Sequence, residues 1–171
     1  RSWQDSADYD IGDAVPYKLS ATLSNDVTSY KKYHITFTDQ MEESLTFNEQ
    51  SVEVYLNGNK LAANAYALNK VNDQNFTVRI DWAGKDGATI DDENLNNAKV
   101  EVFFTATLND KAKLGKEGNV NAAKLTFSNN PDSEDDSDEG EKPWDYVIAF
   151  TYKVDVNKVN KSAEALTGAQ F

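Results

Sequence analysis

The sequence predicts an all-β fold, a β-sandwich of immunoglobulin-like type with at most short helical turns. Two observations support this fold class. The 171-residue chain contains seven or eight short stretches in which apolar and polar residues alternate, which is the period of a half-buried strand. Almost no segment repeats apolar residues at helical spacing. A chain of this length can bury one sizeable core.

Each strand is predicted from the alternation along its own stretch. The first places Val15, Tyr17 and Leu19 on the buried face and Lys18 on the opposite face. Residues 88–98 are the exception, because they predict a short helix capped at Thr89. The strands are predicted, in order, at residues 14–23, 32–39, 52–56, 76–82, 100–108, 121–127 and 144–156, with an apolar patch beginning at Leu45 and polar loops at 24–31 and 129–143.

The composition argues against several classes of function. A net charge of −12 repels nucleic acid and anionic membrane surfaces, and no stretch approaches the roughly 20 apolar residues of a membrane span. The absence of cysteine excludes disulfides, thiol nucleophiles and cysteine-ligated zinc. With neither a signal peptide nor a sorting signal, the chain is expected to be an excised or processed fragment.

The single histidine, His34, falls on the polar side of its predicted strand. Alternation therefore predicts that its imidazole faces solvent. A Ser–His–Asp triad needs the imidazole held between a nucleophile and an acid. The sequence accordingly argues against a hydrolase built on His34.

Two predicted strands carry a polar residue where alternation calls for an apolar one. Asp39 follows Ile35 and Phe37 among the inward-facing positions of its strand, and Asn121 is the first inward-facing position of the strand that contains Leu125. A buried carboxylate and a buried amide are costly unless they are paired. Either residue can instead be structural, since a strand-end Asp often bonds a turn and an Asn often begins a strand through its own backbone bonds.

An acid and an asparagine are two of the three groups that form an internal Lys–Asn isopeptide bond. The third is a lysine amine, which must be neutral to attack the carboxamide. Burial lowers the pKa of a lysine and raises that of a neighbouring acid. A protonated Asp39 could then polarise the carbonyl of Asn121 and carry a proton to the leaving ammonia.

Three stretches resemble the second domain, D2, of Gram-positive backbone pilins. They are Tyr9-Asp10-Ile11-Gly12-Asp13-Ala14-Val15-Pro16-Tyr17, Phe37-Thr38-Asp39-Gln40-Met41-Glu42-Glu43-Ser44-Leu45-Thr46-Phe47, and Phe104-Thr105-Ala106-Thr107-Leu108-Asn109-Asp110-Lys111-Ala112 running on to Asn121-Ala122-Ala123-Lys124-Leu125-Thr126-Phe127-Ser128-Asn129-Asn130-Pro131. The resemblance covers roughly residues 3–157. It implies a Cna-A-like sandwich in which Asp39 is the acid and Asn121 the cross-linked asparagine.

The end of the chain resembles the first strand of the Cna-B-type domain that follows D2 in such pilins. The resemblance rests on Lys158 and on Leu166-Thr167-Gly168-Ala169-Gln170-Phe171. It implies a domain at residues 1–157 and the start of another at 158–171. Lys158 would be the nucleophile of that following domain, or else an ordinary strand-end lysine.

The sequence departs from the family pattern at the D2 lysine. The family places this lysine upstream of the Ile-Gly-Asp stretch, at a position that would fall before Arg1 in this sequence. Lys18 is the first lysine present, and the alternation along its strand points it outward. Three alternatives follow: the lysine strand was cleaved off or omitted, another chain or peptide supplies it, or Lys158 substitutes for it. The first two are favoured.

The resemblance implies a structural role rather than an enzymatic one, apart from a single autocatalytic cross-linking event. The chain is expected to be a shaft domain of an extracellular, cell wall-anchored pilus, with neighbouring pilin domains and subunits as partners. One alternative is a split module that captures a lysine-bearing strand or peptide covalently. Another is an adhesin domain that binds a host ligand, with Trp3 and Trp82 as candidate contacts.

The acidic loop at residues 132–141 carries seven carboxylates. Calcium prefers oxygen ligands, so this loop is the candidate metal site of the sequence. Its spacing does not match an EF-hand, and a solvated loop is the favoured interpretation. No other cofactor is expected.

Overall fold

The chain folds as two five-stranded antiparallel sheets in a computed structural model that describes residues 9–112, 121–132, 139–147 and 150–151. The strands are β1 Ala14–Thr22, β2 Lys32–Met41, β3 Leu45–Leu56, β4 Asn59–Lys60, β5 Ala67–Lys70, β6 Asn75–Ala83, β7 Lys99–Leu108, β8 Asn121–Ser128, β9 Glu139–Val147 and β10 Phe150–Thr151. One sheet has the order β10-β1-β7-β3-β4 and the other β5-β6-β2-β8-β9. The predicted all-β sandwich is confirmed.

A cluster of aromatic rings fills the space between the sheets. Phe47 and Phe76 come from different sheets, and their rings stack with centroids 3.9 Å apart. Phe104 meets Phe76 edge-on at 4.9 Å and stacks on Tyr17 at 5.4 Å. All four side chains are buried. Aromatic rings bury large apolar areas, so this cluster holds the two sheets together beside the inward residues of β2.

Strand β2 occupies the centre of its sheet, between β6 and β8. Its inward residues Tyr33, Ile35 and Phe37 are buried, as their alternation predicts. The register sets Asp39 opposite Phe76 on β6 and opposite Ala123 on β8. An inward side chain at this position has strands on both sides, which is why Asp39 cannot reach solvent along the sheet.

Three details of the predicted elements are wrong or incomplete. The patch at Leu45 and the strand at 52–56 form one strand, β3, with a register shift between Asn48 and Glu53. The polar loop predicted at 129–143 ends earlier, because β9 begins at Glu139 and pairs with Ser128. The edge strands β4 and β5 were not predicted.

The helix predicted at residues 88–98 is wrong. Only a single 3₁₀ turn forms there, at Glu93–Leu95, and it is capped by the side chain of Asp92 rather than by Thr89. The backbone N–H of Ile90 donates to the carbonyl of Tyr30 at 2.8 Å, and the Ile90 side chain is buried. Tertiary contacts thus hold the segment as an extended loop against the core. Within the described ranges, no helix has the length and apolar character needed to cross a membrane.

Candidate functional site

Asp39 is completely buried near the end of β2, with 0% of its surface exposed. Neither carboxylate oxygen has a hydrogen-bond partner among the described residues. Burial is the main cause that raises the pKa of Asp39 well above its ordinary value, and the neighbouring amide of Asn121 lowers it by a smaller amount. No pair of atoms from Asp39 and Asn121 meets hydrogen-bond geometry, so the amide acts on the carboxyl as an electrostatic neighbour. Burial therefore favours the neutral, protonated form of Asp39.

Asn121 lies diagonally across from Asp39 on the adjacent strand. It opens β8 opposite Met41, two residues before Ala123, which pairs with Asp39. Diagonal neighbours on one face of a sheet are within reach of each other's side chains. The amide nitrogen and oxygen of Asn121 are both buried, and neither has a hydrogen-bond partner in the described part of the chain. The inward orientation predicted for both residues is confirmed.

The two side chains form a buried polar pair whose side-chain oxygen and nitrogen atoms have no hydrogen-bond partner in the described part of the chain. Leaving a buried polar group without a partner costs about 1–3 kcal/mol, so two such groups side by side are expensive to keep. The arrangement places a carboxyl group beside a carboxamide, and the buried Phe76 lies opposite Asp39 on β6. A neutral amine placed beside them would complete the groups for amide exchange.

No buried lysine accompanies this pair among the lysines whose side chains are described. Lys18 faces outward, as predicted, and its amine lies 3.5 Å from the carboxylate of Glu101. Lys158 lies outside the described residues, as do Trp3 and residues 133–138 of the acidic loop.

The prediction that His34 faces solvent is wrong. Only 2% of its surface is exposed. Its Nδ1 lies 3.0 Å from the hydroxyl of Ser128, and its Nε2 contacts the carboxylate of Glu139. Alternation along β2 correctly places His34 on the face of the sheet opposite the core. It cannot show that side chains of β8 and β9 cover His34 on that face. Sequence reasoning missed Ser128 and Glu139 for the same reason.

Trp82, a candidate surface contact, is half-buried and packs against the core. Its ring centroid lies 6.1 Å from that of Tyr33. The side chain therefore serves largely as packing at the end of β6.

Comparison with known proteins supports the resemblance seen in the sequence. The trypsin-resistant surface T6 protein of Streptococcus pyogenes serotype M6 is 31% identical over 170 residues, which is 90% of this chain and 31% of that protein. No family model matches the chain. The chain spans about a third of the length of the T6 protein.

Solved pilus backbone proteins share the fold. The backbone protein RrgB of Streptococcus pneumoniae superposes with a TM-score of 0.54 at 26% identity, over 72% of this chain and 44% of that one. The pilus 2b backbone protein of group B streptococcus gives a TM-score of 0.53 at 26% identity, over 78% and 52%. The major pilin BcpA of Bacillus cereus, at 19% identity and a TM-score of 0.52, supports the fold alone. The predicted similarity to the backbone pilins of Gram-positive bacteria is confirmed, and this chain shares their immunoglobulin-type fold.

Proposed function

We propose that the chain is a structural shaft domain of an extracellular, cell wall-anchored Gram-positive pilus, stabilised by a Lys–Asn isopeptide bond. Asn121 is the electrophile and Asp39 the proton shuttle. The observation that carries the proposal is the buried pair itself, an acid whose burial raises its pKa beside a carboxamide that has no hydrogen-bond partner. Such a pair is costly as a structural feature but suited to one cross-linking event.

The proposed reaction conserves atoms and protons. The neutral lysine Nζ attacks Cγ of Asn121, while the protonated carboxyl of Asp39 donates to the amide oxygen. The new N–C bond forms, the bond to the amide nitrogen breaks, and Asp39 carries a proton from the amine to that nitrogen. Ammonia leaves, and Asp39 is regenerated. The rigid strands supply the positioning, so no enzyme is needed.

A covalent link between strands would suit a domain under tension. Strands β2 and β8 are central in their sheet, and a bond at Asn121 would anchor β8 at its first residue. Unfolding by force or entry of a protease would then require local opening around a covalent bond. Neighbouring pilin subunits are the proposed partners.

Mass spectrometry under denaturing conditions tests the proposal. A chain cross-linked by one of its own lysines is lighter than its sequence by one ammonia, and peptide mapping identifies whether Lys158 or another lysine is joined. Both Asn121→Ala and Asp39→Ala should abolish the loss. Asn75→Ala, which also changes the first residue of a strand, is the matched control and should retain it.

A second candidate is a module that captures a lysine-bearing strand supplied by another chain. It is favoured by the absence of a buried lysine among the described side chains, because none of the described lysines supplies the third group. An added peptide that carries one lysine between apolar residues should form an adduct that survives denaturant and maps to Asn121. The same peptide with arginine at that position is the control, since arginine stays protonated.

The adhesin alternative has less support. Its candidate contact Trp82 is engaged in packing, and Trp3 lies outside the described residues. The domain boundary at residue 158 and the role of Lys158 in a following domain stay proposals of the sequence resemblance.

A further inference from the structure

An open cavity of about 430 Å³ lies between the two sheets, at the opposite end of β2 from Asp39. Its size falls within the range of roughly 300–1,000 Å³ that is typical of small-molecule sites. Three aromatic side chains line it, those of Tyr30, Tyr33 and Phe127. Among the described residues of the lining, Asp26 is the one that carries a charge. The cavity is therefore separate from the proposed cross-linking site, and its chemistry is aromatic and anionic.

The aromatic side chains lie on more than one side of the cavity. The rings of Tyr30 and Tyr33 form a corner, because their planes meet at 82° with centroids 4.9 Å apart. Both tyrosines are buried, and the half-buried Phe127 adds a third ring from the end of β8. The face of an aromatic ring is negative and attracts a cation that lies within about 6 Å. This lining therefore suits a positively charged group that also has apolar surface.

The carboxylate of Asp26 does not cap the turn that follows it. An Asp in this position ordinarily accepts a hydrogen bond from one of the first N–H groups of the turn, but Asp26 makes no such bond to the 3₁₀ turn Val27–Ser29. The side-chain oxygen of Asn96 accepts the N–H of Thr28 instead, at 3.1 Å. One carboxylate oxygen of Asp26 contacts the hydroxyl of Ser24, and the other accepts no hydrogen bond from the described residues. That oxygen is available to a ligand.

The negative charge of Asp26 acts on both tyrosines of the cavity. Burial is the main cause that raises the pKa of Tyr30 and of Tyr33, and the charge of Asp26 adds to the rise at each phenol. At Tyr33 the backbone N–H of Ser24, which donates to the phenol oxygen at 3.1 Å, opposes the rise by a smaller amount. Both phenols thus stay neutral near pH 7, so Asp26 gives the described lining a net negative charge.

We propose that this cavity binds an organic quaternary ammonium ion, with its methyl groups against the rings of Tyr30, Tyr33 and Phe127 and its charge offset by Asp26. A primary ammonium has three N–H donors that need acceptors, and the aromatic walls are poor acceptors. A quaternary ammonium has no N–H donor, and aromatic faces are the surfaces that recognise it in proteins. The lining therefore favours the quaternary ion.

The test titrates the isotope-labelled chain with choline chloride at constant ionic strength and follows the backbone amide signals by NMR. We expect saturable shifts at residues 24–30 and 125–129, which include the cavity lining. The first control is the carbon isostere of choline, in which a neutral carbon replaces the nitrogen. It should bind about tenfold more weakly than choline, because it keeps the shape of the ligand and loses the attraction to Asp26.

Three variants separate the charge of the site from its aromatic walls. Asp26→Asn should weaken choline binding about tenfold and leave the binding of the neutral isostere unchanged. Phe127→Leu keeps an apolar side chain without a ring, and it should weaken choline binding about threefold. Asp91→Asn is the matched control, because Asp91 is an exposed loop carboxylate outside the cavity lining. It should bind choline as the parent chain does, and so should Asn121→Ala, because the site does not depend on the cross-link.

The proposal is overturned if the shifts do not saturate or spread over the whole acidic surface. It is also overturned if the neutral isostere binds as tightly as choline, or if Asp26→Asn binds choline as tightly as the parent. Tighter binding of the side-chain ammonium of Nα-acetyl-lysine amide than of choline would contradict the choice of a quaternary ion. The amide spectrum of each variant verifies that it is folded.

Discussion

Substituting Asp39 with asparagine should stabilise the domain increasingly as pH rises. The change keeps the shape of the side chain and removes its ability to ionise. The comparison belongs in an Asn121→Ala background, where no cross-link can form, so that unfolding is reversible. Burial raises the pKa of Asp39 in the native state, so the folded chain retains a proton that the unfolded chain releases above its ordinary pKa of 3.8.

The sign follows from this difference in bound protons. Below about pH 3 both states of the parent hold the proton, so Asp39→Asn changes stability little. Above the unfolded value, the parent loses stability relative to the variant by up to about 1.4 kcal/mol per pH unit, until the native carboxyl ionises. Urea unfolding at a series of pH values measures the gap, which is the difference in free energy of unfolding between the Asn121→Ala protein with and without Asp39→Asn. A gap that is flat with pH, or that widens toward acid, would refute the assignment of Asp39 as a neutral buried acid.

Three further perturbations test the packing, the loop cap and the metal site. Phe76→Ala should lower the free energy of unfolding, measured with urea, by about 3–5 kcal/mol, because the Phe76 ring stacks on Phe47 in the core. Phe103 faces outward, so Phe103→Ala should lower it by less. Equal losses for the two variants would contradict the described core. Asp92→Ala should lower the free energy of unfolding by about 1 kcal/mol, because the Asp92 carboxylate accepts a hydrogen bond from the backbone N–H of Asn94. An unchanged urea midpoint would contradict this cap. Removing calcium with a chelator should leave the melting temperature unchanged, whereas a fall would indicate a metal held by residues 132–141.

The sequence was sufficient to predict most strands, because alternation is a local signal. It also identified Asp39 and Asn121, since an inward polar residue stands out from the pattern of its own strand. Edge strand β5 at Ala67–Lys70 was missed because it is four residues long and only Leu68 among them is even half-buried. The helix at 88–98 failed because Ile90 and Leu95 are buried by tertiary contacts that local propensity does not report.

The cluster around His34 could not be predicted by reading along the chain. Ser128 and Glu139 lie 94 and 105 residues away in sequence from His34. Strand register brings them together, and register is set by which strands pair. The face of His34 followed from alternation, but its burial depends on neighbours that only the sheet order identifies.

The central claim is that Asn121 is an electrophile and not merely a buried amide. The most direct measurement is peptide mapping of Asn121 in the protein taken from the surface of the organism that encodes it. We expect the Asn121 peptide to be recovered joined to a lysine peptide, with a combined mass lower by one ammonia. Recovery of the Asn121 peptide wholly unmodified would contradict the account, and Asp39 and Asn121 would then be a structural polar pair only.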